Sequence, residues 1–293
     1  MNSKRMKANL LLLLTAAIWG VAFVAQKESV KYIGPYLYNG VRFLLGAVSL
    51  IPLILIIKPK VTKDFKYMLK GGITVGIFLF LAASLQQIGI IYTDAGKAGF
   101  ITSLYMVIIP VIGIFLKHKT SFNTWLGVFI ALIGLYLLCM SGSFTLEYGD
   151  FLIFICAFFW AGHVLLIDHF VKRINSLLLS VMQFSVCGIL CIISSFICKE
   201  TVSTEVVINA LIPILYGGIL SVGVAYTLQT VAQKDAKPSH AAIIMSMESC
   251  FSVIGGALIL GERMSANGYI GCILIFAAII ISQLKKKSLY KTR

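Results

Sequence analysis

The sequence predicts an all-α integral membrane protein of ten transmembrane helices, arranged as two inverted five-helix repeats. Three observations predict it. Of 293 residues, 59% are hydrophobic and only 12% charged, with a mean hydropathy of +0.96; ordinary soluble domains carry about 25% charged residues. Apolar stretches of about 20 residues, enough to span a bilayer as a helix, recur ten times. The chain also resembles itself at offsets of 141–144 residues. In lipid each span must satisfy its own backbone hydrogen bonds, so the spans are helices.

The first span, 9–28, follows Lys4, Arg5 and Lys7. Its basic start resembles a secretory signal, but its apolar run exceeds the about 7–15 residues of a signal core, and it carries Trp19 and Gly20. The second, 36–57, holds Arg42 near its start. Five lysines (58, 60, 63, 66, 70) lead to the third, 71–91, with Gln86 and Gln87 near its end. The fourth, 96–116, opens on Lys97 among Ala95, Gly96, Ala98 and Gly99, and holds Tyr105. The fifth is 123–140, and a loop near 141–149 follows. The sixth, 150–167, carries Trp160 and His163 and ends beside Asp168 and His169, read as solvated. The seventh is 176–198; the eighth, 208–231, holds Gln229; the ninth, 239–260, has His240 at its start and holds Glu248. The tenth, 267–284, precedes a basic tail, 285–293.

The net charge of +14 invites a nucleic-acid reading, and its distribution argues against one. Nineteen of the 25 Lys and Arg lie in alternate loops and at the termini. By the positive-inside rule both termini are cytoplasmic, which an even number of spans requires, and the expected location is the cell membrane. The seven cysteines (139, 156, 187, 191, 198, 250, 272) scatter through the spans without a CxxC pair. They read as small membrane residues, so neither a metal site nor a cofactor is expected.

The internal repeat pairs particular residues. Trp19 and Trp160 lie 141 apart, as do Arg42-Phe43 and Gln183-Phe184. Leu85-Gln86 matches Leu228-Gln229 at 143, and Gly113 matches Gly256. Ser121, Asn123 and Gly127 match Ser265, Asn267 and Gly271 at 144. Five spans per repeat force the second repeat, 150–284, to face opposite to the first, 9–140. Inverted repeats place a solute site near the midplane between the halves. At the same offset Glu248 matches Tyr105, and Lys97 matches His240.

Glu248 lies about 10 residues, or about 15 Å, into its helix, near the bilayer centre. Intramembrane ionisable residues are expensive and mark pathways or partners. Glu248 therefore reads either as a coupling or binding carboxyl or as one held by a hydroxyl or a freed backbone group. Lys97 either snorkels to the headgroups or turns inward to an anion or a carboxylate, and its small neighbours favour close helix packing. Arg42 either snorkels or holds a substrate carboxylate. Trp19 and Trp160 are packing residues or cavity walls. Gln86 and Gln229 bond a solute or neighbouring helices, and Tyr105 and His163 complete the candidate set.

The stretches "AAIWGVAFVAQK" (16–27), "RFLLGAVSLIP" (42–52), "TDAGKAGFITSLYMVIIP" (93–110) and "MESCFSVIGGALILGERM" (247–264) resemble the EamA-like branch of the drug/metabolite transporter superfamily over residues 8–284. The resemblance implies two inverted five-helix repeats with both termini inside. It also implies export or exchange of small metabolites such as amino acids, through a cavity formed by helices 1–4 and 6–9 with 5 and 10 peripheral. Where that family often has Glu-Pro in helix 9, this chain has Glu248-Ser249.

No HExxH, Walker A or GxSxG pattern is present, so the expected activity is not enzymatic. A secondary transporter working by alternating access is the leading reading, with a small-molecule solute, the bilayer and protons as partners. The alternatives are a membrane scaffold or receptor, which needs no solute-sized cavity, and an intramembrane lipid-modifying enzyme, which would need clustered His/Asp or paired carboxylates.

Overall fold

A computed structural model of the chain describes residues 3–61, 64–116, 120–139, 147–259 and 266–284. The basic tail 285–293, with Lys63, Lys117, Lys119 and Arg263, lies outside the described residues. Among those described there are no strands and ten long helices. They are α1 (Ser3–Ser29), α2 (Pro35–Ile57), α3 (Phe65–Gly89), α4 (Ala95–Phe115), α5 (Phe122–Cys139), α6 (Tyr148–Phe170), α7 (Ser176–Ile197), α8 (Leu211–Ala232), α9 (Pro238–Ile259) and α10 (Ala266–Gln283). A short helix, Thr204–Asn209, precedes α8. Eight are long and apolar enough to cross a membrane; α5 and α10 hold shorter apolar stretches, Phe122–Leu137 and Ala266–Ser282.

The helices pair across the chain. The closest pairs are α5 with α10, α2 with α7, α3 with α6 and α7, α1 with α8 and α9, α2 with α8, α4 with α6, and α4 with α9. Replacing every helix by the one five places on maps this set of pairs onto itself. Missing side chains allow the tightest approaches. A Cβ on Gly134 of α5 would lie 2.7 Å from the Gly271 carbonyl oxygen of α10, and one on Gly127 would lie 2.9 Å from that of Ala278. Helix pairing in lipid rests on such close contact of small residues.

Four helices depart from regular α geometry, the first being α2, interrupted at Leu50 between Pro35–Ser49 and Ile51–Ile57. α4 is interrupted at Leu104, between Ala95–Ser103 and Tyr105–Phe115. α9 is interrupted between Pro238–Met245 and Glu248–Ile259. These two breaks coincide at the offset of 143. The break in α9 stands directly before Glu248-Ser249, without a proline. In α9 the Ser246 hydroxyl donates to the Ile243 carbonyl at 2.8 Å, and the amides of Met247 and Ser249 turn to acceptors three residues back; such local bonding competes with the helical ladder. In α8 the segment Tyr216–Tyr226 is π-helical.

One end of the molecule gathers the starts of α1, α5 and α9 and the end of α10, and is called the terminal face. Arg5 donates to His240 Nδ1 at 3.0 Å, and His240 Nε2 meets Thr124 Oγ1 at 3.1 Å. Arginine only donates, so His240 accepts at Nδ1 and its Nε2–H serves Thr124. Asp168 belongs to this end and is not solvated: it is buried, with its carboxylate 2.7 Å from Lys172 Nζ, one helical turn on. His169 is exposed, as expected.

Candidate functional site: a closed cavity at the helix breaks

Glu248 is the first residue of the second half of α9. Its carboxylate therefore sits at the positive end of a half-helix. Across from it, Ser103 ends the first half of α4. The Ser103 hydroxyl lies 3.5 Å from Glu248 Oε1 and 2.7 Å from Ser249 Oγ, and Ser249 Oγ donates to the Gly99 carbonyl at 3.0 Å. Since Ser249 spends its proton on Gly99, it accepts from Ser103. One hydroxyl proton on Ser103 then serves two oxygens. Tyr105, the repeat counterpart of Glu248, is buried beside it, within electrostatic reach of the carboxylate. Its hydroxyl makes no hydrogen bond of standard geometry.

Arg42 is also buried, not snorkelling. Its Nε donates to Asn39 Oδ1 at 2.9 Å, and its guanidinium carbon lies 5.1 Å from the Tyr38 ring centre and 4.9 Å from that of Phe43. Asn39 is itself anchored by donating to the Ala83 carbonyl at 2.9 Å. Among the described residues no carboxylate forms an ion pair with Arg42, and no cation forms one with Glu248. Both charges face one cavity.

Aromatic rings and amides make the rest of the wall. Tyr226 is central: its ring centre lies 4.5 Å from Trp19 and 6.0 Å from Trp160, nearly parallel to the latter at 25°. Trp160 Nε1 donates to Gln86 Oε1 at 2.8 Å, and Gln86 Nε2 donates to Gln26 Oε1 at 3.0 Å. Trp19 Nε1 reaches only the Ser221 carbonyl, at 3.4 Å. Gln229 Oε1 is buried without a partner among the described residues. The cavity has a volume of about 30 Å³, room for a water or two at about 10–15 Å³ each.

Seven of the nine residues singled out from the sequence line this cavity: Trp19, Arg42, Gln86, Tyr105, Trp160, Gln229 and Glu248. Two do not. Lys97 lies at the face opposite the termini, its ammonium 2.5 Å from the Asp150 carboxylate. Asp150 also accepts from the Thr93 hydroxyl and the Glu147 amide, both at 2.8 Å. Lys97 thus pairs with a carboxylate, as one of its two inward readings had it, and does not line the cavity. His163 stands behind the wall, its Nε2 bonded to Gln183 Oε1 of α7 at 2.7 Å, its ring 5.6 Å from Trp160. The expectation that α7 lines the cavity is also corrected, since it contributes no lining residue. Gln26, Ser221 and Tyr226 were missed. Gln26 sits in an "AQK" stretch that reads as a span end. Ser221 and Tyr226 are five residues apart, a spacing that shares a face only when turns close by i→i+5 bonds, as in the π-helical part of α8.

The two faces differ. At the opposite face α1 is tied to α3 and to the loop after it. Gln87 Nε2 meets the Gln26 carbonyl and Ser29 Oγ, both at 3.2 Å. Lys27 Nζ donates to the carbonyls of Ile90 at 3.0 Å and Thr93 at 2.7 Å. At the terminal face the equivalent helices, α6 and α8, are joined by Gln233 Nε2 to the Val164 carbonyl at 2.9 Å. There a vestibule of about 670 Å³ opens, bordered by Ile109, Leu165, Lys234, Lys237 and His240.

A bundle of apolar helices enclosing a buried Arg42 and a buried Glu248, neither of them in an ion pair among the described residues, defines a multi-pass membrane protein with a buried polar site. The family model described as "EamA-like transporter family" matches the chain twice, at residues 6–140 and 147–284. The chain belongs to the EamA-like transporter family, within the drug/metabolite transporter superfamily. It is similar to an uncharacterized transporter of Archaeoglobus fulgidus, 32% identical over 96% of this chain and 87% of that one. It is also similar to the uncharacterized transporter YoaV of Bacillus subtilis, 24% identical over 90% and 92%. A crystal structure aligns with a TM-score of 0.79 at 17% identity, covering 94% of this chain and 96% of that one; this likeness concerns the fold alone.

Proposed function

We propose that this chain is a secondary transporter that moves small metabolites, amino acids or related solutes, across the cytoplasmic membrane by alternating access. Residues 9–140 and 150–284 act as two inverted five-helix repeats, with both termini in the cytoplasm. The observation that carries the reading is Arg42 and Glu248, a buried cation and a buried carboxylate with no mutual or other ion pair, facing one cavity. Unpaired buried charges are costly in a stable core and suit a zwitterionic solute that supplies both partners. The exchange symmetry of the helix pairs and the matched breaks in α4 and α9 support the inverted repeat. A cavity of about 30 Å³ holds no amino acid, so the reading requires a second conformer in which the walls part.

The shared Ser103 proton supports a proton-coupling role for Glu248. A protonated Glu248 supplies the hydrogen that Ser103 lacks, and ionised Glu248 suits a solute ammonium. The test is uptake into proteoliposomes over a metabolite panel, with and without a pH gradient. Accumulation of at least one solute is expected, driven by the gradient. Glu248→Gln keeps the shape and removes the titration, so gradient-driven accumulation should be lost while solute exchange survives. Full accumulation with an unchanged pH profile in Glu248→Gln would make this carboxyl structural. No flux of any solute would favour the scaffold reading.

A further inference from the structure

The tryptophan and glutamine counterparts share one chemistry and two different states. Trp160 and Trp19 match at 141 residues, Gln86 and Gln229 at 143. Trp160 donates to Gln86 Oε1 at 2.8 Å. Its counterpart, Trp19, does not reach Gln229. It makes a longer contact, 3.4 Å, to the Ser221 carbonyl, and Gln229 Oε1 stays buried and unpartnered. The made pair stands on the side where α1 is tied to α3 by Gln26, Gln87 and Lys27. The glutamine of the unmade pair lies near the end of α8, and the residues that follow that helix, Lys234 to Lys237, border the vestibule of about 670 Å³. Among the protein groups described, no donor reaches this amide oxygen in the present arrangement, and the indole N–H of Trp19 is the repeat counterpart of the one that serves Gln86.

Resting on the alternating-access reading, we propose that the two pairs form a two-state switch. Trp160 donates to Gln86 when the face opposite the termini is closed, and Trp19 donates to Gln229 when the terminal face is closed. In the second state Trp19 leaves the Ser221 carbonyl for Gln229 Oε1. Trp160 leaves Gln86 for the carbonyl of Phe78, which matches Ser221 at 143 residues. The exchange conserves hydrogen bonds, so each state keeps one strong Trp–Gln bond and leaves one glutamine oxygen waiting. Tyr226, touching both indoles, couples the two moves mechanically.

The test uses reconstituted full-length protein carrying Cys139→Ser, Cys198→Ser and Cys272→Ser, since among the described residues Cys198 is exposed and Cys272 half-buried. Reporter thiols are placed at Gly99→Cys and Ala242→Cys, equivalent positions 143 apart. A Cβ at Gly99 meets nothing nearer than 3.7 Å. A membrane-impermeant methanethiosulfonate is applied from each side. Gln86→Met removes the bond of the present state and should raise the ratio of Gly99→Cys to Ala242→Cys labelling about fivefold, the worth of one neutral hydrogen bond. Gln229→Met should lower it by about the same factor, and the double variant should return it toward the parent. Trp160→Phe and Trp19→Phe, which keep the rings and remove the donors, should follow Gln86→Met and Gln229→Met respectively, and carry either arm if a methionine variant does not fold. Equal shifts of one sign, or no shift in folded variants, would overturn the switch. The readout is accessibility, not flux. Opposed shifts without transport of any solute would therefore sink the transport reading and leave the switch; transport without opposed shifts would do the reverse.

Discussion

Arg42 is the largest fully buried side chain of the described residues, and its burial separates two cations that look alike in sequence. Arg42 spends one donor on Asn39 and turns its guanidinium face to Tyr38 and Phe43, leaving donors for a planar anion. Lys97 is committed to Asp150, whose side chain is fully buried. Their substitutions should differ accordingly. Arg42→Gln is expected to weaken transport of carboxylated solutes at least tenfold, with expression and thermal stability near those of the parent. Lys97→Met is expected to leave concentration dependence unchanged and to cost about 1.5–3 kcal/mol of stability, the worth of a hydrogen bond to a charged group. Uptake curves and detergent melting curves on the same two preparations check both. A solute-affinity loss confined to Lys97→Met would reverse the assignment.

At the scale of elements, one helix start is held by a residue far away in the chain. α2 begins at Pro35 after Gly34, without a capping side chain of its own. Glu200, from the loop after α7, takes that role: its two carboxylate oxygens accept from the amides of Tyr36 at 3.0 Å and Leu37 at 2.7 Å. A side chain at Gly34 would collide with this carboxylate. Glu200→Ala should cost about 1–2 kcal/mol, as lost N-caps do, and lower the melting temperature; Glu200→Gln should retain part of the loss because its amide offers one acceptor. An unchanged melting temperature in Glu200→Ala would show the cap to be replaceable by water. Nothing local announces this cap, since the two partners lie 163 and 164 residues apart. Elements with a local cause were legible: the long helices were placed within three residues, because an apolar run of bilayer length leaves the backbone no other choice, except that α1 and α3 start six residues earlier, at Ser3 and Phe65, where basic residues precede the apolar run. The breaks in α4 and α9 were not legible, because the polar residues beside Leu104 and Met247, such as Ser103, Ser246 and Glu248, read as lining residues within a continuous span. Residues matched by the repeat, such as Trp19 with Trp160, were found at the cavity. Lys97 was not, because depth along a helix can be read from sequence but the side it faces cannot.

At the scale of the molecule, the closest contacts join helices of opposite halves: α2 with α7, α3 with α6, α5 with α10. Neither α1–α5 nor α6–α10 has a core of its own. The α5–α10 seam depends on Gly127 and Gly134, so Gly134→Leu should force the pair apart. It should lower the yield of folded protein and the melting temperature by more than any single cavity substitution, as read by size-exclusion recovery and thermal melts. Normal recovery would show that the seam tolerates a wider gap.

That interlocking has a consequence during synthesis. α5 leaves the ribosome about 140 residues before α10, and at about 5–20 residues per second the delay is about 7–28 s. For that interval the glycine face of α5, and Gly40 of α2, whose later neighbour is Ile192 of α7, lie in the bilayer with lipid, or another nascent chain, as their only company. The cell must guard these faces for seconds, long on the scale of helix diffusion. Overproduction, which crowds many half-made chains into one membrane, is then the condition under which α5 of one molecule meets α10 of another.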